Sequence, residues 1–185
     1  MSQLVDSASG IHPRHSHYYL RSVRQDNKDP LTQFMKEAGI PNEPDVMKPD
    51  ATTVFTFPIK APVGAKVRDD VDPISHLELW KIYNEHWAEH QVSITVSVKE
   101  DEWLRTGAWV FDNFDSLSGV SFLPMDGGTY RQAPYIEVTE EQYNTALQAM
   151  PASVDWTQLV NYEKEDATTS SHELACVGTQ CEVTW

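Results

Sequence analysis

The chain has 185 residues, enough for one domain or a large part of one, and 40% of them are hydrophobic. Its 28 acidic residues outnumber 14 Lys and Arg, and the formal net charge of −14 excludes a general nucleic-acid-binding surface. No apolar run approaches the roughly 18 residues that cross a membrane, and residues 1–6 lack the pattern of a signal peptide. We therefore predict a folded protein of the cytoplasm, a reducing compartment, with no nucleic-acid or membrane partner.

Residues 12–24 are unusual because they concentrate imidazole and guanidinium groups. They contain three histidines and three arginines: His12, Arg14, His15, His17, Arg21 and Arg24. Such a stretch indicates either a site that meets anionic groups or another molecule, or a plain solvated face. The spacing of the histidines would also suit zinc, but Pro13 makes the backbone irregular and the stretch holds no thiol or carboxylate. From the residues alone these alternatives stay open.

Helices and strands are predicted to alternate along the rest of the chain. Asp29-Pro30 is a typical helix start and Gly39 a typical stop, and Thr139 with Gln142 forms a capping box. Further helices are expected over residues 73–91, 100–114 and from Asp155, with strands over 52–58, 92–98 and 118–124, and a loop over 41–49. This alternation predicts βα units with parallel strand pairing.

The predicted helix 73–91 contains a short motif, residues 86–90, that could hold a metal ion. His86, Glu89 and His90 match H-x-x-E-H, the inverted zinc-peptidase motif, and on a helix the two histidines would share one face. That enzyme class also needs a third ligand from a distant helix, whereas here the motif runs straight into a strand. A match with three fixed positions is weak, so a zinc peptidase is the least favoured hypothesis.

The two cysteines of the chain, Cys176 and Cys181, lie near its C-terminus with Gly178 between them. The preceding residues 163–171 are polar and acidic, so we expect this segment to be mobile. A cysteine pair on a mobile tail suits thiol–disulfide exchange, which needs accessible sulfurs. Inert thiols, a passive disulfide or half of a zinc site with His172 remain as alternatives.

Several short segments of the chain, taken together, resemble a known protein family. They follow one another through nearly the whole chain and comprise residues 9–14, 18–24, 54–58, 79–81, 86–90, 100–104, 107–110, 118–124, 126–130, 133–135 and 174–182. Together they resemble the C-terminal part of the adenosylcobalamin-dependent (class II) ribonucleotide reductases.

The resemblance implies an α/β fold, with residues 1–162 forming the C-terminal portion of the ten-stranded α/β barrel of these reductases and residues 163–185 a flexible redox tail. It implies that a cobalamin-generated cysteine radical activates the ribonucleotide substrate, and that Cys176 and Cys181 re-reduce the active-site disulfide. Thioredoxin or a glutaredoxin-type reductant would recharge the pair. Adenosylcobalamin would be bound by the complete enzyme and not by this chain alone, and no residue here is assigned to cofactor or metal.

The same resemblance predicts that the chain is not active alone, because the family's radical cysteine and its partners cannot be among its two cysteines. We expect either a split reductase that assembles with its N-terminal part or a truncated relic. A non-catalytic interaction domain with an inert tail is the alternative from another class. The resemblance also makes residues 12–24 barrel wall, His86 and His90 packing or interface residues, and the aromatic faces of the helices 73–91 and 100–114 core.

Overall fold

The computed structural model describes residues 8–125 and 131–164, together with the backbone of residues 176–177 and 180–181. These parts contain four α-helices: α1 (Pro30–Glu37), α2 (Pro73–His86), α3 (Trp103–Asp112) and α4 (Glu140–Gln148). The strands are β1 (Tyr18–Asp26), β2 (Asn42–Pro44), β3 (Thr52–Lys60), β4 (Ile94–Val98), β5 (Val120–Pro124), β6 (Tyr135–Glu137), β7 (Cys176–Val177) and β8 (Gln180–Cys181). None of the helices in these parts is long and apolar enough to cross a membrane.

The strands form three sheets, with the orders β2-β3-β1-β6, β4-β5 and β7-β8. The chain divides into two compact units: unit 1 combines Met1–Leu20 with Ile59–Tyr143, and unit 2 combines Arg21–Pro58 with Asn144–Trp185. β1, β3 and α4 contribute residues to both units.

Unit 1 is built around a strand–helix–strand segment, β4-α3-β5. The two strands pair in parallel, from Ile94 opposite Val120 to Val98 opposite Pro124, which confirms the predicted parallel pairing for this segment. The core beneath them is apolar and consists of Leu77, Trp80, Ile94, Val96 and Val98. The indole N–H of Trp80 donates to the carbonyl of Val92 at 2.9 Å, so the buried ring also satisfies its polar atom.

Unit 2 packs α1 against β3. Asp29 caps α1 by accepting a hydrogen bond from the Leu31 N–H at 2.8 Å, and Gly39, with φ of +78°, follows its end, as the sequence predicted. The core residues are Phe34, Met35, Ile40 and Phe55. β2 pairs with β3 in the antiparallel direction, so parallel pairing does not extend to every strand, and the predicted loop 41–49 contains a short strand.

Two expectations for the helices need correction. The predicted helix 73–91 ends at His86: Trp87 has left the helical conformation, and the Trp87 and Ala88 N–H groups both donate to the Tyr83 carbonyl. Nor are the aromatic faces of the two long helices all core. Trp80 is fully buried, but several apolar side chains on or beside α2 and α3 are exposed: Ile82, Tyr83, Trp87, Leu104, Phe111 and Phe114.

Candidate functional site

The cysteine pair predicted from the sequence lies on the two shortest strands. β7 and β8 pair in the antiparallel direction, and Cys176 is the register partner of Cys181. Directly opposed residues of antiparallel strands have Cα atoms about 4.5–5.5 Å apart, and disulfides need about 4.4–6.8 Å. The backbone register is therefore compatible with a bond between these residues, while their side chains and most of the tail 163–185 lie outside the described residues.

The histidine-rich stretch is held in place in unit 1 by its imidazoles. His12 Nδ1–H donates to the Ser9 carbonyl at 2.7 Å, and its Nε2 accepts the Thr95 N–H at 2.9 Å. His76 on α2 donates from Nε2 to the Ile11 carbonyl at 3.0 Å. Both ring nitrogens of His12 are thus engaged, so this histidine holds the backbone of the stretch against β4 and has no lone pair available for a metal.

His15 lies between two tyrosines that the sequence places far apart. Its ring stacks on Tyr135 of β6 with centroids 5.4 Å apart and meets Tyr19 of β1 edge-on at 5.8 Å. Burial lowers the pKa of His15 to about 4, and the positive charge of Arg68 lowers it further in the same direction. The imidazole is therefore neutral near pH 7 and behaves as a third aromatic ring of this group.

Two guanidinium groups adjoin these rings. Arg14 Nη1 donates to the Tyr19 hydroxyl at 3.5 Å, and Arg68 pairs with Glu137 through Nη2 at 3.1 Å. The backbones of the two arginines are tied together, because the Arg68 N–H donates to the Arg14 carbonyl at 2.9 Å. The Arg68 Nε is buried and has no hydrogen-bond partner among the described residues. We call these residues the His15 cluster: Arg14, His15, Tyr19, Arg68, Tyr135 and Glu137.

The His15 cluster combines flat aromatic surfaces with guanidinium donors, an arrangement that suits contact with an anionic, partly aromatic group. A site that meets anionic groups, one of the alternatives for residues 12–24, stays a prediction. The sequence alone missed Arg68, Tyr135 and Glu137 as members, since they lie about 50 to 120 residues away and carry no local signal. Only the resemblance drew attention to residues 133–135.

The H-x-x-E-H residues do not form a ligand set. His86 is the last residue of α2 and its side chain is 73% exposed, while Glu89 and His90 lie beyond the helix end. The expected shared helix face therefore does not exist. Across the parts of the chain that the structure describes, no group of three or more His, Cys, Asp and Glu is placed to hold a metal ion.

The fold of the chain has a known counterpart. It is similar over 90% of its length to a crystal structure of a B12-dependent (class II) ribonucleotide reductase, with a TM-score of 0.69 and 22% identity, and covers 23% of that chain. At this identity the likeness shows the fold: a mixed α/β segment of the kind found in that reductase. No family model matches the chain.

Sequence relatives make the relation more specific. The chain is 31% identical over 156 residues to the adenosylcobalamin-dependent ribonucleoside-triphosphate reductase of Euglena gracilis, a match covering 83% of this chain and 21% of that protein. It is 32% identical over 167 residues to the probable reductase of the same name from Dictyostelium discoideum, covering 87% and 22%. The Lactobacillus leichmannii reductase is 25% identical over 160 residues, covering 84% and 21%.

The chain is thus homologous, over most of its length, to the adenosylcobalamin-dependent ribonucleoside-triphosphate reductases, and the family resemblance is confirmed. It spans about a fifth of the length of these relatives.

Proposed function

We propose that this chain is the C-terminal part of a ribonucleotide reductase, which converts ribonucleotides to deoxyribonucleotides in the cytoplasm. The observation that carries the proposal is the match of more than four fifths of the chain to reductases of this kind, supported by the fold. Since the match covers about a fifth of each relative, the chain works together with the N-terminal part of the same enzyme and is inactive by itself.

In this proposal Cys176 and Cys181 form the redox shuttle. One tail thiolate attacks the active-site disulfide and forms a mixed disulfide; the second tail thiolate then releases the active-site dithiol and leaves the tail oxidised. Two electrons and two protons pass to the active site in this exchange. Thioredoxin or a glutaredoxin-type protein reduces the tail again. The backbone register that pairs Cys176 with Cys181 supports the closing of the tail disulfide.

Adenosylcobalamin is the cofactor that the relatives' names imply, and when bound it supplies a radical. A cavity of about 610 Å³ in unit 2 is lined mainly by charged and polar side chains, among them Arg24, Lys28, Asp45 and Lys48. Nothing in this lining marks a site for a corrin ring. We therefore assign no residue of this chain to the cofactor and propose that the complete enzyme binds it, not this chain alone.

Reconstitution tests the proposal. The chain is mixed with the N-terminal part of the reductase, adenosylcobalamin and a ribonucleoside triphosphate, with either thioredoxin or dithiothreitol as reductant, and deoxynucleotide is measured. We expect product only when both protein parts are present. Cys176→Ser should abolish turnover with thioredoxin and retain much of the turnover with dithiothreitol, because a small dithiol reaches the active-site disulfide without the tail.

Thr179→Ser is the matched control, since it changes one of the four residues between the cysteines and keeps both thiols. Equal loss of activity with both reductants in Cys176→Ser would contradict the shuttle and leave the reductase assignment standing. Absence of deoxynucleotide from wild type with its N-terminal part and either reductant would contradict the reductase assignment itself.

A further inference from the structure

An apolar stripe runs along the solvent side of α3. Leu104 is 91% exposed, Phe111 is 83% exposed and the following Phe114 is 70% exposed. Gly107 and Ala108, between them along the helix, are also exposed. Residues 104, 108 and 111 recur at the spacing that puts side chains on one helix face, so they form a continuous surface. We call Leu104, Ala108, Phe111 and Phe114 the α3 stripe.

The stripe is more exposed than the other apolar run of unit 1, which consists of Leu79, Ile82 and Tyr83 on α2. Single exposed side chains such as Val63 are ordinary on protein surfaces. On α3 itself Leu104 and Phe111 are exposed, and Phe114 follows just after the helix end. The small residues Gly107 and Ala108 leave room for close approach of another backbone. Beside the C-terminal end of the stripe, Phe111 and Phe114 line a cavity of about 390 Å³ together with Asp112 and Asp115. A side chain of a partner fits there as an anchor.

Carboxylates bracket the stripe at both ends. Asp101 precedes it, and Asp112 and Asp115 follow, all of them exposed. Over residues 99–115 five acids stand against two bases, and one of these, Arg105, is ion-paired with Asp72 and with Glu102. At 1.5 Å per residue α3, from Trp103 to Asp112, is about 15 Å long, so the carboxylates before and after it lie at opposite ends of the stripe. The surface is therefore apolar in its middle and negative at its two ends.

We propose that the α3 stripe docks an amphipathic helix of another polypeptide, with apolar residues at helical spacing and a Lys or Arg near each end of its apolar face. The acidic ends repel a second copy of the same surface, and they repel an anionic membrane. The segments of this chain outside the described residues contain no Lys or Arg, so none of them carries the complementary charge.

A peptide probe tests the docking surface. The probe is a fluorescent helical peptide of about 16 residues, long enough to span the stripe, built of Ala and Leu with two Lys at each end; a matched peptide carries Glu in place of Lys. Fluorescence anisotropy with the full chain should show saturable binding of the Lys peptide and none of the Glu peptide. Phe111→Ser should weaken binding at least about fivefold, as for loss of an interface anchor.

The carboxylates are tested separately. Asp112→Asn with Asp115→Asn should weaken binding and reduce its dependence on salt, because the lost contacts are electrostatic. Val63→Ser and Asp50→Asn, exposed residues elsewhere, serve as controls that should bind like wild type. Equal weakening in the controls, equal binding of the Glu peptide or no saturable binding would overturn the proposal. Dimerisation of the wild type that Phe111→Ser abolishes, seen by analytical ultracentrifugation, would assign the surface to a second copy instead.

Discussion

His15 lies in an environment that disfavours its charged form. Both its half-burial between Tyr19 and Tyr135 and the charge of Arg68 disfavour the imidazolium. The unfolded chain binds a proton at this residue near pH 6.5, whereas the folded chain binds it only near pH 4. Stability from the neutral ring is thus fully present above pH 6.5 and is lost as the pH falls towards 4.

We predict that His15→Gln flattens the dependence of the free energy of unfolding on pH between these values. Because His15 is only half-buried, solvent screening reduces the effect to on the order of 1–2 kcal/mol over the whole window. Urea unfolding of the two proteins at several pH values from 6.5 to about 4 measures it. The exposed His17→Gln is the control; a slope in His15→Gln equal to that of wild type would contradict the prediction.

Of the residues of the candidate site, the cysteine pair can be found from the sequence and the His15 cluster cannot. The cysteine pair is local, with only four residues between the two, so the sequence suffices to find Cys176 and Cys181. The His15 cluster joins residues from β1, from the segment before α2 and from β6, and such contacts depend on the fold. No periodicity or spacing in the sequence predicts these contacts.

At the scale of helices and strands, the segments with the strongest local sequence signals were predicted correctly. The predicted capping box at α4 is confirmed: Gln142 N–H donates to Thr139 Oγ1 at 3.2 Å, and Thr139 N–H donates to Gln142 Oε1 at 2.9 Å. The end of α2 was missed because no Gly or Pro marks it, and Trp87, 82% exposed, gains no core contact that would prolong the helix. β1 was missed because its arginines obscure the alternation of a strand.

We predict that Thr139→Ala destabilises the first turn of α4 by about 1 kcal/mol, since it removes the side-chain acceptor of the capping box. Hydrogen exchange of the amides of residues 141–143 and urea unfolding report the loss. The exposed Asn144→Ala, further along the same helix, should change stability by less than about 0.5 kcal/mol. Similar losses in the two variants would show that the box contributes nothing beyond helix propensity.

At the scale of the whole molecule, the two-stranded parallel sheet β4-β5 needs further strands beside it. Parallel sheets are usually larger and covered on both faces, but within the described residues each of these strands has one partner. The Met125 N–H donates to the Val98 carbonyl and so points towards β4. Because the N–H groups of a strand alternate in direction, the Leu123 N–H also points towards β4, and the Phe122 N–H points away from it, towards the open edge of β5. Pro124, next on that edge, has no N–H to satisfy.

This geometry gives a prediction for the isolated chain and for the assembled reductase. In the isolated chain the Phe122 amide should exchange its hydrogen rapidly while the Leu123 amide is protected by β4. When the N-terminal part of the reductase is added, a strand pairing with the open edge of β5 should protect Phe122 and leave Leu123 unchanged. Amide exchange measured by NMR distinguishes the two residues. Slow exchange at Phe122 in the isolated chain would mean that its edge is already covered, and fast exchange in the assembled enzyme would mean that the partner does not extend this sheet.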